Sequence, residues 1–238
     1  MRGLFITFEG TEGSGKSTQI QVLAKRLREM GRVVQTLREP GGTPIGEEIR
    51  HTLKHSNVNH AMMAETELLL MNASRAQLVR EVIRPALNSG EVVLCDRFHD
   101  STVAYQGYGR GLDLTLVHQI VSGAVGGTQP DLTLLLTVSV QVSEARRLAR
   151  LLPGLETVRD RIEEADRSFF ERVEEGYRKV AASDPNRIRS IDASSAIEQV
   201  SQAVWRAVEP LLAGQGEGKK PANGQSIPIA PRKPLRIE

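Results

Sequence analysis

The sequence lacks the features of secreted, disulfide-bonded and membrane-spanning proteins. Its 238 residues contain one cysteine, Cys95, so no disulfide can form within the chain and a reducing compartment is expected. No run of 18 apolar residues occurs, and the start, MRGLFITFEG, lacks the apolar region of a signal peptide. With 39% hydrophobic and 25% charged residues, the chain is predicted to be a globular cytoplasmic protein without a membrane partner.

The sequence also lacks an excess of basic residues outside its C-terminal segment. The net charge of the whole chain is +2, but residues 214–238 carry five basic and two acidic residues, which leaves a net charge of −1 for residues 1–213. We therefore expect no nucleic-acid partner. Residues 214–238 include four prolines, four glycines and no aromatic residue, so they are predicted to be a disordered tail.

Short apolar runs alternate with amphipathic segments over residues 1–213, which predicts one domain of the α/β class. Strands separated by helices pair in parallel through right-handed crossovers. Pro85 is expected to bend or end the helix that contains it. The predicted strands are Leu4–Phe8, Val33–Leu37, Val92–Asp96, Asp131–Val138 and Ile188–Asp192. The predicted helices are Ser17–Met30, Ile45–Lys54, Ala64–Asn88, Leu112–Val125, Val142–Leu151, Glu163–Ser183 and Ser195–Ala213.

A glycine-rich stretch between the first predicted strand and helix matches the phosphate-binding pattern G-x-x-x-x-G-K-[ST]. Its glycines let successive backbone N–H groups point at phosphate oxygens, and the following helix adds its positive dipole end. Lys16 would bridge the β- and γ-phosphates of ATP, and Ser17 would hold Mg²⁺. A flexible Gly/Ser turn is the alternative, but the flanking strand and helix favour a phosphate loop. The predicted ATP-binding residues are Gly10, Thr11, Glu12, Gly13, Ser14, Gly15, Lys16, Ser17 and Thr18.

The residues at the strand ends favour a phosphate acceptor over a switch or a motor. The NKxD and DxxG segments of GTPase switches and an LSGGQ-like signature of transporter ATPases are absent. Arg38 and Arg97 follow predicted strands directly, at the edge where open α/β sheets bind ligands. Asp96 closes a strand and is placed to assist Mg²⁺ or to orient the attacking oxygen. Each arginine alone is as readily a solvated surface residue, but together with the carboxylate they suit a phosphorylated acceptor.

Five segments, in order, resemble the motifs of the thymidylate kinase (dTMP kinase) family: FEGTEGSGKST, REPGGT, SRAQ, DRFHDSTVAYQG and QPDLTLLL. The resemblance extends from about residue 3 to residue 212. It implies a P-loop NTPase fold, with a five-stranded parallel sheet and helices on both faces. It also implies a homodimer that uses Mg-ATP to convert dTMP to dTDP.

The resemblance also implies roles for residues around the dTMP acceptor. Arg38 and Arg97 would clamp the dTMP phosphate, and Glu12 would lie near the sugar and the metal. Pro40 would shape its loop, and a cis bond before it is one way to do so. Arg75 would hydrogen-bond the thymine edge. The residues implied to line the base and sugar pocket are Ser101, Thr102, Tyr105 and Gln106.

One position departs from the family pattern. Four residues before Arg75, the family usually has a phenylalanine that stacks on thymine, and this chain has Met71. Positions 71 and 75 share a helix face, so Met71 can still lie on the base. A thioether is softer and less flat than a ring, which predicts looser base selection, unless Met71 only fills the core.

Further positive charge for the transferred phosphoryl group is expected from a lid over about residues 146–162. Phosphoryl transfer needs more positive charge than Lys16 and Mg²⁺ supply, and the variable loop positions 11–14 include no basic residue. Arg146 and Arg150 lie four residues apart on one helix face and match the lid arginines that the resemblance implies. An ordinary solvated helix end is the alternative. The predicted catalytic residues are Lys16, Asp96, Arg97, Arg150, Arg146 and Glu12.

Two other functions stay open from the sequence. One is a kinase for a different small phosphorylated acceptor. The other is a non-catalytic nucleotide-binding protein that uses its tail for docking. The presence of Lys16, Asp96 and Arg97 argues against the second.

Overall fold

The computed structural model describes residues 2–56, 58–149, 162 and 165–213. Among these residues, five strands form one parallel sheet in the order β2-β3-β1-β4-β5, which confirms the expected fold class. The expected tail, Arg150 and most of the expected lid lie outside the described residues. The strands are β1 (Leu4–Glu9), β2 (Val34–Arg38), β3 (Val92–Asp96), β4 (Leu132–Thr137) and β5 (Ile188–Asp192).

Helices connect the strands and cover both faces of the sheet. Three of them begin at a residue whose side chain accepts a backbone N–H of the first turn: Thr43, Asp113 and Asp166. No helix in the described ranges is long and apolar enough to cross a membrane. The helices are α1 (Lys16–Glu29), α2 (Pro44–Lys54), α3 (Ala64–Leu78), α4 (Arg84–Asn88), α5 (His99–Thr102), α6 (Leu114–Val125), α7 (Val140–Ala149), α8 (Arg167–Ser183) and α9 (Ile197–Ala213).

The central strand β1 is apolar on both faces because both faces are covered. All six of its residues are buried. Leu4, Ile6 and Phe8 pack in one core with α1 and α9, whereas Phe5 packs in the opposite core with α3 and α6. Burial of the strand interior explains why β1, β3 and β4 are largely apolar runs in the sequence.

Two helical stretches differ from the sequence pattern. The helix that begins at Ala64 does not end at Pro85: it passes through a π-helical turn, Val79–Ile83, and continues to Asn88. Pro85 is tolerated because it lies in the first turn of α4, next to this irregular segment. The stretch after β3, for which the sequence predicted no element, is also helical, because α5 continues into a π-helical turn at Val103–Gly109.

The carboxyl ends of the parallel strands meet at one edge of the sheet, where open α/β sheets bind ligands. Glu9 ends β1, Arg38 ends β2 and Asp96 ends β3. Because β1 lies between β3 and β4, the loop that follows Glu9 lies at the centre of this edge.

Candidate active site

The loop between β1 and α1 has a backbone that requires glycine. Gly10 and Gly15 have φ angles of 131° and 91°, in the region that other residues avoid. A Cβ on Gly10 would lie 2.3 Å from the Leu136 carbonyl oxygen. Ser14 Oγ is buried and has no hydrogen-bond partner among the residues that the structure describes, so a bound phosphate oxygen would satisfy it. The loop fits a polyphosphate.

Lys16 begins α1 with its ammonium group against the loop. Its Nζ donates to the carbonyl oxygens of Gly10 and Thr11, each at 3.0 Å. Burial lowers the pKa of Lys16, as does the nearby Arg97, while Glu12 opposes both effects. A cation is therefore held beside the loop at the point where a phosphate would approach.

Ser17 and Asp96, the predicted metal ligands, lie next to each other. Ser17 Oγ donates to Asp96 Oδ2 at 3.0 Å, which joins the phosphate loop to the end of β3. Both side chains offer oxygen atoms, and Mg²⁺ needs few protein ligands because it retains water and binds substrate phosphates. The pair therefore fits Mg²⁺.

Arg97 follows β3 in a left-handed backbone conformation, with a φ angle of 72°, which is uncommon for a residue with a side chain. Its Nη1 donates to Ser101 Oγ at 3.2 Å and to Tyr177 Oη at 3.0 Å. Its Nη2 donates to Glu12 Oε1 at 2.8 Å and to Tyr105 Oη at 3.1 Å. The guanidinium group is thus fixed by the phosphate loop, by α8 and by the helical stretch after β3.

Glu12 lies at the junction between the phosphate loop and this arginine. Burial alone would raise the pKa of its carboxyl group, but Arg97, Lys16 and Lys54 outweigh burial and hold the pKa well below its usual range. The predicted catalytic carboxylate is therefore an anion at neutral pH.

Glu9, for which the sequence predicted no role, is a fully buried carboxylate. Its Oε1 accepts from the backbone N–H groups of Phe98 at 2.8 Å and Ser101 at 3.3 Å. Its Oε2 accepts from Tyr177 Oη at 2.9 Å and from Ser101 Oγ. Burial, assisted by Asp100, raises the pKa of Glu9 to about 7. An acidic residue directly after the apolar strand predicted at Leu4–Phe8 was the sequence signal, because a buried carboxylate needs partners.

A cavity opens beside Arg97 and Glu12. Eight of the nine residues predicted to bind the acceptor line this cavity. The exception is Arg38, whose Nη2 lies 2.8 Å from Glu47 Oε2, with both side chains about half exposed. The cavity is lined by Glu12, Glu39, Pro40, Lys54, Met71, Arg75, Arg97, Ser101, Thr102, Tyr105, Gln106 and Ile162.

Three lining residues were not predicted. Glu39 precedes Pro40 across a cis peptide bond and lies between two predicted residues, so its position in REPGGT was a usable signal. Lys54 and Ile162 reach the cavity only through the tertiary fold, and no local pattern marks them.

Every side-chain nitrogen of Arg75 has a protein partner. Its Nε donates to Glu39 Oε2 at 2.8 Å, and its Nη2 donates to the Phe98 carbonyl oxygen at 3.1 Å. Its Nη1 donates to Asn72 Oδ1 at 2.8 Å and to Thr102 Oγ1 at 2.9 Å. Burial raises the pKa of Glu39, although Arg75 opposes the change. Arg75 is thus placed on the cavity wall as half of a buried ion pair.

One of the two predicted lid arginines, Arg146, lies in the described ranges. Its Nη1 donates to the Gly13 carbonyl oxygen and its Nη2 to the Ala193 carbonyl oxygen, both at 3.1 Å. Ser143 Oγ donates to the Glu12 carbonyl oxygen at 2.7 Å. The hydrogen bonds from Arg146 to Gly13 and from Ser143 to Glu12 therefore hold α7 against the phosphate loop.

This edge of the sheet thus carries a glycine-rich phosphate loop with its lysine and, next to it, a cavity lined by Arg97. On a parallel sheet with a P-loop, this arrangement defines the class of nucleoside monophosphate kinases, which are phosphotransferases. A family model described as thymidylate kinase matches residues 8–204. The chain belongs to the thymidylate kinase family.

Individual relatives agree with this assignment. The chain is 47% identical over 213 residues to a thymidylate kinase of Alcanivorax borkumensis, and the matched residues cover 90% of this chain and 99% of the relative. It is 45% identical over 207 residues to a thymidylate kinase of Deinococcus radiodurans, with 87% and 97% covered. A crystal structure of thymidylate kinase from Ehrlichia chaffeensis matches with a TM-score of 0.68 and 31% identity, over 87% of this chain and 99% of that one.

Proposed function

We propose that this chain transfers the γ-phosphoryl group of ATP to dTMP, giving dTDP and ADP for dTTP biosynthesis. The main support is the position of the cavity: Glu12 of the phosphate loop and Arg97 both lie on its wall, and Arg97 Nη2 donates to Glu12 Oε1 at 2.8 Å. An acceptor phosphate against Arg97 would then lie next to the terminal phosphate of ATP. Such positioning supplies most of the catalysis in phosphoryl transfer.

On the donor side, we assign the ATP phosphates to the loop 10–18 and to Lys16. Ser17 and Asp96 would hold Mg²⁺, which neutralises phosphate charge when bound. Arg146 and Arg150 would place further positive charge near the migrating group. The contact of Arg146 with the phosphate loop supports its part of this assignment.

On the acceptor side, Arg97 would bind the dTMP phosphate, which is largely ionised at pH 7 and needs no general base. Lys54 would add a further cation to the same cavity. Arg38 would have to exchange Glu47 for the phosphate to serve as the other clamp. The nucleoside would occupy the rest of the cavity, against Pro40, Met71, Arg75, Ser101, Thr102, Tyr105 and Gln106.

We further propose a homodimer that acts in the cytoplasm. Helix α3 packs against both α2 and α6, and these three adjoining helices expose Ile45, Leu69 and Leu116. Exposed apolar surface shared by neighbouring elements is typical of an interface. A reducing compartment agrees with the buried free thiol of Cys95.

ADP release, measured with dTMP, dUMP, dGMP and UMP as acceptors, tests the proposed reaction. We expect ADP release that depends on Mg²⁺ and is fastest with dTMP. A faster rate with another monophosphate would assign a different acceptor, and ATP binding without acceptor-dependent release would exclude a kinase. Lys16→Met is the control for contaminating kinases, because it removes the loop cation and should abolish release with every acceptor.

A further inference from the structure

Glu9 does not line the acceptor cavity, yet its carboxylate lies at the centre of the polar cluster behind Arg97. We propose that Glu9 is a positioning residue for the acceptor phosphate, which acts through Arg97 by fixing the backbone turn and the two hydroxyl groups that hold the guanidinium group. This role rests on the assignment of Arg97 to that phosphate under the proposed function.

The Glu9 side chain first fixes the backbone that follows the left-handed residue, while the main chain of Phe8 holds the residue itself. The Arg97 N–H donates to the Phe8 carbonyl oxygen at 2.9 Å, and the Phe98 N–H donates to Glu9 Oε1 at 2.8 Å. A non-glycine residue keeps a positive φ angle only where its surroundings impose it. The two hydrogen bonds that Phe8 and Glu9, consecutive residues of β1, accept supply that constraint.

Glu9 also orients the hydroxyl groups that contact the guanidinium group. Ser101 Oγ and Tyr177 Oη both lie within hydrogen-bond distance of Glu9 Oε2 and both accept from Arg97 Nη1. Above its pKa of about 7 the Glu9 carboxylate only accepts, so each hydroxyl group can direct its proton to Glu9 and its lone pairs to Arg97. The two hydroxyl groups thereby link the negatively charged carboxylate of Glu9 to the guanidinium group of Arg97 by hydrogen bonds.

The two ends of the guanidinium group are therefore held by different carboxylates. Nη1 is anchored through the hydroxyl groups to Glu9, whereas Nη2 contacts Glu12, which lies on the cavity wall. The neighbouring Asp100 does not share this task, because both of its oxygens accept from Arg187. Nη2 can exchange Glu12 for a phosphate oxygen while Nη1 stays in place.

Glu9→Gln tests this role, because the amide keeps the shape and one acceptor but donates to the two hydroxyl groups and turns their protons toward Arg97. Calorimetric titrations at pH 8, where the Glu9 carboxyl group is mostly ionised, compare dTMP with thymidine, which lacks the phosphate. We expect dTMP affinity to fall by about 10- to 100-fold, the range for losing a hydrogen bond to a charged group, with thymidine affinity and the KM for ATP unchanged. Glu91→Gln is the matched control: Glu91 directly precedes β3, at the end of the strand that lies away from Arg97, and the same change there should alter neither affinity.

A loss of the same size for dTMP and thymidine, or no loss for either, would overturn the role of Glu9. Tyr177→Phe keeps the carboxylate and removes one hydroxyl group, so it gives an independent test if Glu9→Gln does not fold. It should weaken dTMP selectively, by less than Glu9→Gln, and an unchanged ratio of dTMP to thymidine affinity would also overturn the role. Arg97→Met separates the two assignments: if it does not weaken dTMP selectively, the phosphate assignment of Arg97 itself fails.

Discussion

The buried pair of Arg75 and Glu39 allows a stability loss to be worked out from the structure. The two residues are 2% and 6% exposed, and Arg75 Nε and Nη2 lie 2.8 Å and 2.7 Å from Glu39 Oε2. Arg75→Met removes the cation and leaves a carboxylate buried without its charged partner. Breaking a buried pair in this way costs about 3–5 kcal/mol, a large part of the roughly 5–15 kcal/mol that stabilises a typical domain.

The loss should depend on pH and on the state of Glu39. Burial raises the pKa of Glu39 above its unfolded value and Arg75 opposes this, so without Arg75 the folded protein binds the proton more tightly. Ionisation of Glu39 then destabilises the folded state above the unfolded pKa, and the loss should be larger at pH 8 than at pH 5. Glu39→Gln in the Arg75→Met background should recover part of the loss, because an amide costs less to bury than a carboxylate.

Urea unfolding followed by circular dichroism at both pH values measures these free energies. Arg167→Met, which removes the exposed ion pair with Glu171, is the matched control and should have little effect. A loss for Arg75→Met no larger than that for Arg167→Met would refute the reasoning, as would a larger loss at pH 5 than at pH 8.

The base pocket, the lid, the proposed interface and Glu9 each give a further expected result. Met71→Phe should lower the KM for dTMP, because a flat ring stacks better than a thioether, and kinetics without improvement would count against a stacking role. Arg150→Ala should lower kcat by about 100-fold, on the arginine-finger scale, and near-normal turnover would move the role to a neighbour. Leu69→Glu should give a monomer in analytical ultracentrifugation, and a dimer of this variant would contradict the proposed interface. The control Val22→Glu, at an exposed apolar residue of α1, should keep the wild-type mass. The folded-state pKa of Glu9 is raised from 4.5 to about 7, so the wild type loses stability as its carboxyl group ionises. The unfolding free energy of Glu9→Gln should therefore rise relative to that of the wild type by on the order of 3 kcal/mol between pH 5 and pH 8. A difference in unfolding free energy that does not vary with pH would contradict this.

The centre of the sheet was predictable because β1, β3 and β4 are buried on both faces and therefore form apolar runs. The sequence placed β3 at Val92–Asp96 and β5 at Ile188–Asp192, as the structure has them. The phosphate loop was predictable because its function needs particular residue types at fixed spacing, as the φ angles of Gly10 and Gly15 show.

Features that depend on distant contacts were not predictable from the residues alone. Lys54 faces the acceptor cavity only because α2 packs beside it, and Arg38 pairs with Glu47 across a turn. The helical stretch after β3 has no apolar period, since it begins with the polar, buried residues His99–Thr102. The carboxylate of Glu9 gains its meaning from Tyr177, which lies 168 positions away in the sequence.

Simultaneous binding of ATP and dTMP, end to end at the edge of the sheet, is the central claim. Calorimetric titration of dTMP into protein saturated with Mg²⁺ and a non-hydrolysable ATP analogue tests it directly. One dTMP per chain should bind, at least as tightly as without the analogue. Failure of dTMP to bind the saturated protein would contradict the claim.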